Sequence, residues 1–92
     1  MTTTTTSTAR LQYLINFFSV AIQHLPVPTR GEASFWLKYP DELVETAIQY
    51  AARKFPIGDD FPESENVARY ITATCRGIER NRLRKLAMEV GR

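Results

Sequence analysis

Apolar residues recur along the chain at the three-and-four spacing of one α-helical face, and this pattern appears in three segments. In the first segment Tyr13, Phe17 and Val20 widen the face. We therefore expect the first helix, which ends at Pro26, to be covered on more than one side or to lend apolar surface to another subunit. The face itself consists of Leu11, Leu14, Ile15, Phe18, Ile22 and Leu25.

The second periodic segment has clear signals at both ends. It opens at Pro40 with Asp41 and Glu42 in the first turn, where carboxylates favour the positive end of the helix dipole, and Pro56 forbids its continuation. Its apolar stripe is Leu43, Val44, Ala47, Ile48, Ala51 and Phe55. The pattern predicts a helix that starts after Pro40 and stops just before Pro56.

Between these two segments lies an aromatic cluster made of Phe35, Trp36 and Tyr39. We interpret residues 32–38 as a short helix. The cluster can pack in the core or offer a stacking surface, and core packing is the commoner fate of such residues.

The C-terminal periodic segment carries two apolar stripes. Val67, Tyr70, Ile71, Thr74 and Ile78 share one face, whereas Leu83, Leu86 and Val90 lie more than a quarter turn away at about 100° per residue. One straight helix cannot bury both stripes against one neighbour. Either the helix breaks or kinks near residues 80–82, or its last turns pack against something else. We favour a break, which gives helices over about 64–79 and 81–90.

These patterns predict an all-α fold, a small bundle of four to five helices. Residues 1–8 form a threonine-rich run with nothing to bury, which we interpret as a disordered tail, and residues 9–92 form a single helical domain. A hydrophobic content of 43% is enough for a core, although a chain of 92 residues has a thin margin of stability. The apolar segment 11–25 is interrupted by polar residues and is too short to span a membrane. A single cysteine gives no sign of an oxidising compartment, so we expect a cytoplasmic protein.

Basic residues are concentrated near the C-terminus. Residues 69–85 hold six basic side chains and one acid, whereas the first sixty residues hold five basic and six acidic ones, so a net charge of +2 conceals a polarised chain. Arg69, Arg76, Arg80 and Arg84 fall within about a quarter turn of one helix face. These four residues, with Arg82 and Lys85, are the candidate nucleic-acid-binding residues, because guanidinium forks match phosphate geometry. The alternative is that they solvate a helix or pair with Glu42, Glu45, Asp59 and Asp60.

Catalytic chemistry finds no support in the sequence. His24 is the only histidine, at a helix end where a structural role is favoured, and Cys75 is mid-helix, where a free cysteine is most often a small buried apolar residue. The acidic run at 59–65 is interpreted as helix-start electrostatics and a solvated turn, since its spacing differs from that of a calcium loop. We therefore expect no enzyme activity, no catalytic residue, no cofactor and no metal.

Three binding functions remain open. In the first, the arginine face contacts RNA or DNA backbone; in the second, the chain is an assembly module whose apolar surfaces dock other protein chains or copies of itself, with the arginines at the rim. The third, weaker one is a helix-turn-helix DNA-binding protein with Thr72 where a turn glycine is usual. No membrane partner is expected.

Two stretches carry a resemblance to a known family: FWLKYPDELVETAIQYAARKFP and SENVARYITATCRGIERNRLRKL. Together with the small helical domain, they resemble the small-subunit family of multi-subunit CRISPR effector (Cascade-type) complexes, in the version that corresponds to the C-terminal helical domain of a large subunit. The resemblance covers residues 10–90. It implies a non-catalytic subunit for antiviral defence that packs beside copies of itself and other subunits. It also implies that Arg69, Arg76, Arg80 and Arg84, with Arg82 and Lys85, contact the backbone of guide or target nucleic acid.

Overall fold

The computed structural model describes residues 2–58 and 62–90, with side chains from residue 8 to residue 89. Its elements are α1 (Thr2–Ala21), α2 (Arg30–Ala33), a 3₁₀ helix (Ser34–Lys38), α3 (Asp41–Lys54) and α4 (Ser64–Val90). No strand occurs in these ranges. The prediction of an all-α small helical bundle is confirmed.

α3 lies at the centre of the bundle and packs against both long helices. It ends where the sequence indicates, and all of its predicted stripe up to Ala51 is buried. Phe55 follows the helix and meets Tyr70 of α4 edge-on, with ring centroids 5.4 Å apart. The core also takes the apolar face of α1 and the first half of α4, namely Leu14, Ile15, Phe18, Ile22, Val67, Ala68, Ile71 and Cys75.

The segment formed by α2 and the 3₁₀ helix contacts α1 and α4. The predicted short helix at 32–38 is confirmed, although it starts two residues earlier because Thr29 and Glu32 form a capping box. The Glu32 carboxylate accepts hydrogen bonds from the Thr29 backbone N–H at 2.8 Å and from the Ser64 hydroxyl at 3.0 Å. One carboxylate therefore joins the start of α2 to the start of α4.

Arg10 ties α1 to the start of α3. Its guanidinium donates two hydrogen bonds to one carboxylate oxygen of Asp41, at 2.8 and 3.0 Å, and one to the Tyr39 carbonyl at 3.0 Å. Hydrogen bonds to a charged carboxylate are stronger than those between neutral groups, so these contacts fix the position of α1 relative to the start of α3.

Both ends of α1 differ from the sequence expectation. Its backbone is helical from Thr2, so the residues that we expected to form a disordered tail appear as the first turns of α1, whereas Met1 lies outside the described residues. Extending an existing helix avoids the cost of a new nucleus, which allows even threonines to continue it. At the other end α1 stops at Ala21 instead of Pro26, because a turn at residues 22–25 follows the last helical bond, from the Ile22 N–H to the Phe18 carbonyl.

α4 corrects the expected break near residues 80–82. It is one helix from Ser64 to Val90, and residues 78–90 contain neither proline nor glycine but mostly strong helix formers. The two apolar stripes therefore belong to one helix with different surroundings. The first faces the bundle, and the second extends past it.

Candidate nucleic-acid interface

α4 has an anchored half and a projecting half. Val67, Ile71 and Cys75 are fully buried and Ile78 still packs against the core, but every residue from 80 to 89 is exposed. At about 1.5 Å per residue, these ten residues extend the helix by about 15 Å. They carry four basic side chains and one acid.

The arginine face predicted from the sequence follows both halves of this helix. Arg69, Arg76, Arg80 and Arg84 are exposed, and α-helical geometry places them within about a quarter turn over a length of about 22 Å. The face turns away from the buried stripe. A row of guanidinium groups of this length can lie along a polyanion without reading its sequence.

Among the described residues, one member of the row forms an ion pair, and its partner is none of the four acids considered above. Arg69 pairs with Glu65 one turn earlier, and both side chains are largely exposed, so the pair contributes little. Arg76, Arg80 and Arg84 form no ion pair with any described residue. Glu45 instead accepts a hydrogen bond from the Tyr13 hydroxyl at 2.6 Å, and Asp59 and Asp60 lie outside the described residues.

Arg82 and Lys85 are exposed but point to other sides of the helix than the arginine row. They lie together with Asn81, Arg84 and Met88 around a shallow depression of about 580 Å³. The projecting half of α4 is therefore basic on several sides, and the six candidate residues do not share one surface.

Large apolar side chains lie among these cations. Leu83 is 60% exposed, Leu86 52% and Met88 65%. Leu83 and Leu86 share one side of the helix, whereas Met88 lies on the opposite side. Exposed large apolar residues that lie side by side are typical of a surface that meets another molecule.

A cavity of about 490 Å³ lies between the segment of α2 and the 3₁₀ helix and the anchored half of α4. Phe35, 53% exposed, forms part of one wall, and Arg69 and Arg76 form part of the other. The cavity and the arginine row therefore share two residues.

The aromatic cluster divides between core and surface. Trp36 is fully buried, with its ring centroid 6.2 Å from that of Phe18, and Tyr39 is partly buried against the core. The Trp36 indole Nε1 is buried and has no acceptor among the described residues. Phe35 is the one member of the cluster whose side chain is mainly exposed.

His24 and Cys75 are the two residues considered above for catalysis. In the structure, His24 joins two elements and Cys75 lies in the core. His24 Nε2 lies 2.6 Å from the Phe55 carbonyl, which can only accept, so Nε2 carries the proton and the imidazole links the turn after α1 to the end of α3. Burial raises the pKa of the Cys75 thiol to about 12, which disfavours the nucleophilic thiolate. Within the described residues no group of three or more histidine, cysteine or acidic side chains is placed to hold a metal ion.

The helix-turn-helix alternative requires a turn close to Thr72. That residue lies in the uninterrupted interior of α4, where its hydroxyl donates a hydrogen bond to the Ala68 carbonyl at 3.0 Å. The two helices that this motif needs are one helix here. The alternative is therefore wrong at this position.

Among the helices described, none combines the length and the apolar character needed to cross a membrane. Comparison with known protein families, curated proteins and solved structures finds no match to this chain.

Proposed function

We propose that this chain is a non-catalytic subunit that binds the phosphate backbone of RNA or DNA through α4 and assembles with other protein chains, including copies of itself. The observation that carries the proposal is the projecting half of α4. It offers exposed cations without ion-pair partners among the described residues, on a helix that the bundle holds by its other half.

Arginine supports a backbone ligand in particular. Its planar fork forms two parallel hydrogen bonds with a phosphate, and it is less strongly hydrated than an ammonium group. A row of arginines on a helix contacts the phosphate groups and not the bases, so the expected binding depends little on nucleotide sequence.

The particular proposal is a small subunit of a Cascade-like CRISPR effector. In that setting base pairing reads the sequence and protein subunits bind backbone, which suits an arginine row without an evident reading element. Arg69, Arg76, Arg80 and Arg84 are assigned to the backbone. Arg82 and Lys85 are assigned to a second strand or to a neighbouring subunit, because they face other sides of the helix.

A second candidate is a protein assembly module without nucleic-acid contact. The exposure of Leu83 and Leu86 favours it, since these two residues share one side of α4 and could form an apolar interface with the arginines at its rim. The two functions differ in their dependence on salt and on nucleic acid, and one experiment separates them.

The test is fluorescence anisotropy of labelled single-stranded RNA, single-stranded DNA and duplex DNA across a salt series. For a single strand, the slope of log affinity against log salt becomes shallower by about 0.7 for each phosphate that the protein no longer neutralises. The double variant Arg76→Gln with Arg80→Gln should therefore bind more weakly and flatten the slope by about 1.4.

The matched control is Arg53→Gln with Lys54→Gln. It removes the same charge from the last turn of α3, a different helix from the one that carries the arginine row. Its salt slope should stay close to that of the original chain. Absence of binding to all three nucleic acids at low salt would overturn the proposal in favour of the assembly module.

A further inference from the structure

The cavity beside Phe35 is lined by this aromatic ring, whose position is fixed, and by several small side chains. The capping box and the bond from Ser64 to Glu32 fix the segment that carries Phe35, and burial of the adjacent Trp36 fixes the other side of its backbone. Phe35 is therefore held at the surface with little freedom to turn inward.

Small residues on the two sides keep the space open. The walls include Gly31 from α2, and Ala68 and Ala73 from α4. At Gly31, a methyl group would meet only the Thr29 hydroxyl oxygen, at 3.9 Å, so the space next to this residue is open. A volume of about 490 Å³ lies within the usual range of small-molecule pockets and is ample for one planar ring system.

In the described part of the chain, the acidic side chains around the cavity have hydrogen-bond or ion-pair partners, whereas a basic one does not. Glu32 and Glu65 are already bonded, the first to Thr29 and Ser64 and the second to Arg69. Arg76 has no ion-pair partner among the described residues and lies one turn before Arg80 in the arginine row. Lys38 adds a further cation, with Nζ 5.6 Å from the centre of the Phe35 ring.

We propose that this cavity accepts one unstacked base of a single-stranded nucleic acid, which stacks on Phe35 while its phosphate is bound by Arg76. The proposal rests on the proposed function, because the strand must already lie along the arginine row. It deepens that function by naming the ligand class. A duplex keeps its bases paired and stacked inside and has none to insert, whereas a single strand does.

The experiment compares two labelled strands of equal length and charge, a twelve-nucleotide deoxyadenosine oligomer and a twelve-unit abasic oligomer with the same phosphate backbone. The base-bearing strand should bind more tightly. Phe35→Ala should weaken it by about 5- to 150-fold, the range expected for loss of one stacked base, and leave the affinity for the abasic strand unchanged.

A second variant guards against an effect of Phe35 on folding. Ala73→Leu fills the cavity from the α4 side at an exposed helical position, and it should weaken the base-bearing strand in the same selective way. Val20→Ala, at a residue 72% exposed on α1, is the control for removing an exposed apolar side chain. Helicity by circular dichroism and the fluorescence of Trp36, the only tryptophan, verify that each variant is folded.

Equal affinity for the two strands would overturn the base site while leaving backbone binding intact. The base site is also overturned if Phe35→Ala and Ala73→Leu change neither affinity, or weaken both strands alike. Failure of both strands to bind at low salt would remove the proposed function itself, and the base site with it.

Discussion

The chemical type of a residue in this chain does not decide whether its side chain is buried or exposed. Cys75 and Trp36, both reactive or polar types, lie buried in the core, whereas Leu83 and Leu86 lie exposed among cations. The periodicity of the sequence identifies which residues share a face, but not whether anything covers that face. Exposure at residue level therefore had to come from the structure.

Gly77 offers a prediction at this scale. It lies inside α4, and a methyl group added there would have no heavy atom within 4 Å apart from its neighbours in the helix. Gly77→Ala should stabilise the protein by about 0.5–1 kcal/mol, because glycine loses more backbone entropy than alanine on entering a helix. Urea denaturation monitored by Trp36 fluorescence measures the difference.

Ala73→Gly, one turn earlier at an exposed position of the same helix, should destabilise the chain by a similar amount. A loss of stability in Gly77→Ala would contradict the continuous path of α4 through this residue.

Elements differ in how well the sequence predicts them. α3 has proline on both flanks and acids in its first turn, so its bounds followed directly from local chemistry. The end of α1 did not, because the turn after Ala21 depends on contacts such as that of His24 with Phe55, 31 residues away. Arg10 was missed for the same reason, since its partner Asp41 lies 31 residues further along. The continuity of α4 did not follow from the sequence either, because two apolar stripes imply a break only if both are buried, and Leu83 and Leu86 are exposed.

The candidate interface was predictable in part. The arginine row follows from helical geometry once α4 is accepted as a helix, and its residues are those predicted. The cavity beside Phe35 could not be predicted, because it exists only where α2 and the 3₁₀ helix meet α4. A pattern along one segment holds no information about the space between two segments.

The capping box of α2 gives a prediction on pH. The pKa of Glu32 is lowered below its ordinary value of 4.5, mainly because the carboxylate accepts the Thr29 backbone N–H. A lowered pKa in the folded state means that the stabilisation is present above pH 4.5 and is lost as the pH falls through the folded value. Glu32→Gln should therefore lower the Tm at pH 7 and have a smaller effect near pH 3.

Thermal unfolding followed by circular dichroism from pH 7 to pH 3 measures this difference. Glu89→Gln is the control, since it removes the same charge from the exposed end of α4, where no hydrogen bond to a described residue is lost. An equal loss of Tm for Glu32→Gln at both ends of the pH range would show that the charged form of Glu32 does not matter.

At the scale of the whole molecule, the chain is a thin, extended bundle. Its radius of gyration is 14.6 Å, compared with about 12 Å for a compact domain of this length, and its extents are 49 × 40 × 18 Å. The projecting half of α4 contributes to this shape. A flat molecule has a large surface for its volume, which suits contact with neighbours on several sides.

The exposed Leu83 and Leu86 predict self-association through the end of α4. The double variant Leu83→Gln with Leu86→Gln should reduce the fraction of oligomer in sedimentation velocity at high concentration. It removes exposed apolar surface whose burial between two copies would favour association. Val20→Gln should have little effect, since it removes exposed apolar surface from α1 and leaves the end of α4 unchanged. A chain that is monomeric at high concentration would contradict the prediction.

The projection of α4 also bears on how long the chain survives. Helical turns without tertiary contacts open at a low free-energy cost, and residues 80–89 place four potential cleavage sites for a trypsin-like protease on such turns. A ligand or neighbour that binds this segment holds it helical and out of the protease's reach. Degradation would therefore remove first the copies whose projecting half of α4 is not covered by a ligand or a neighbour.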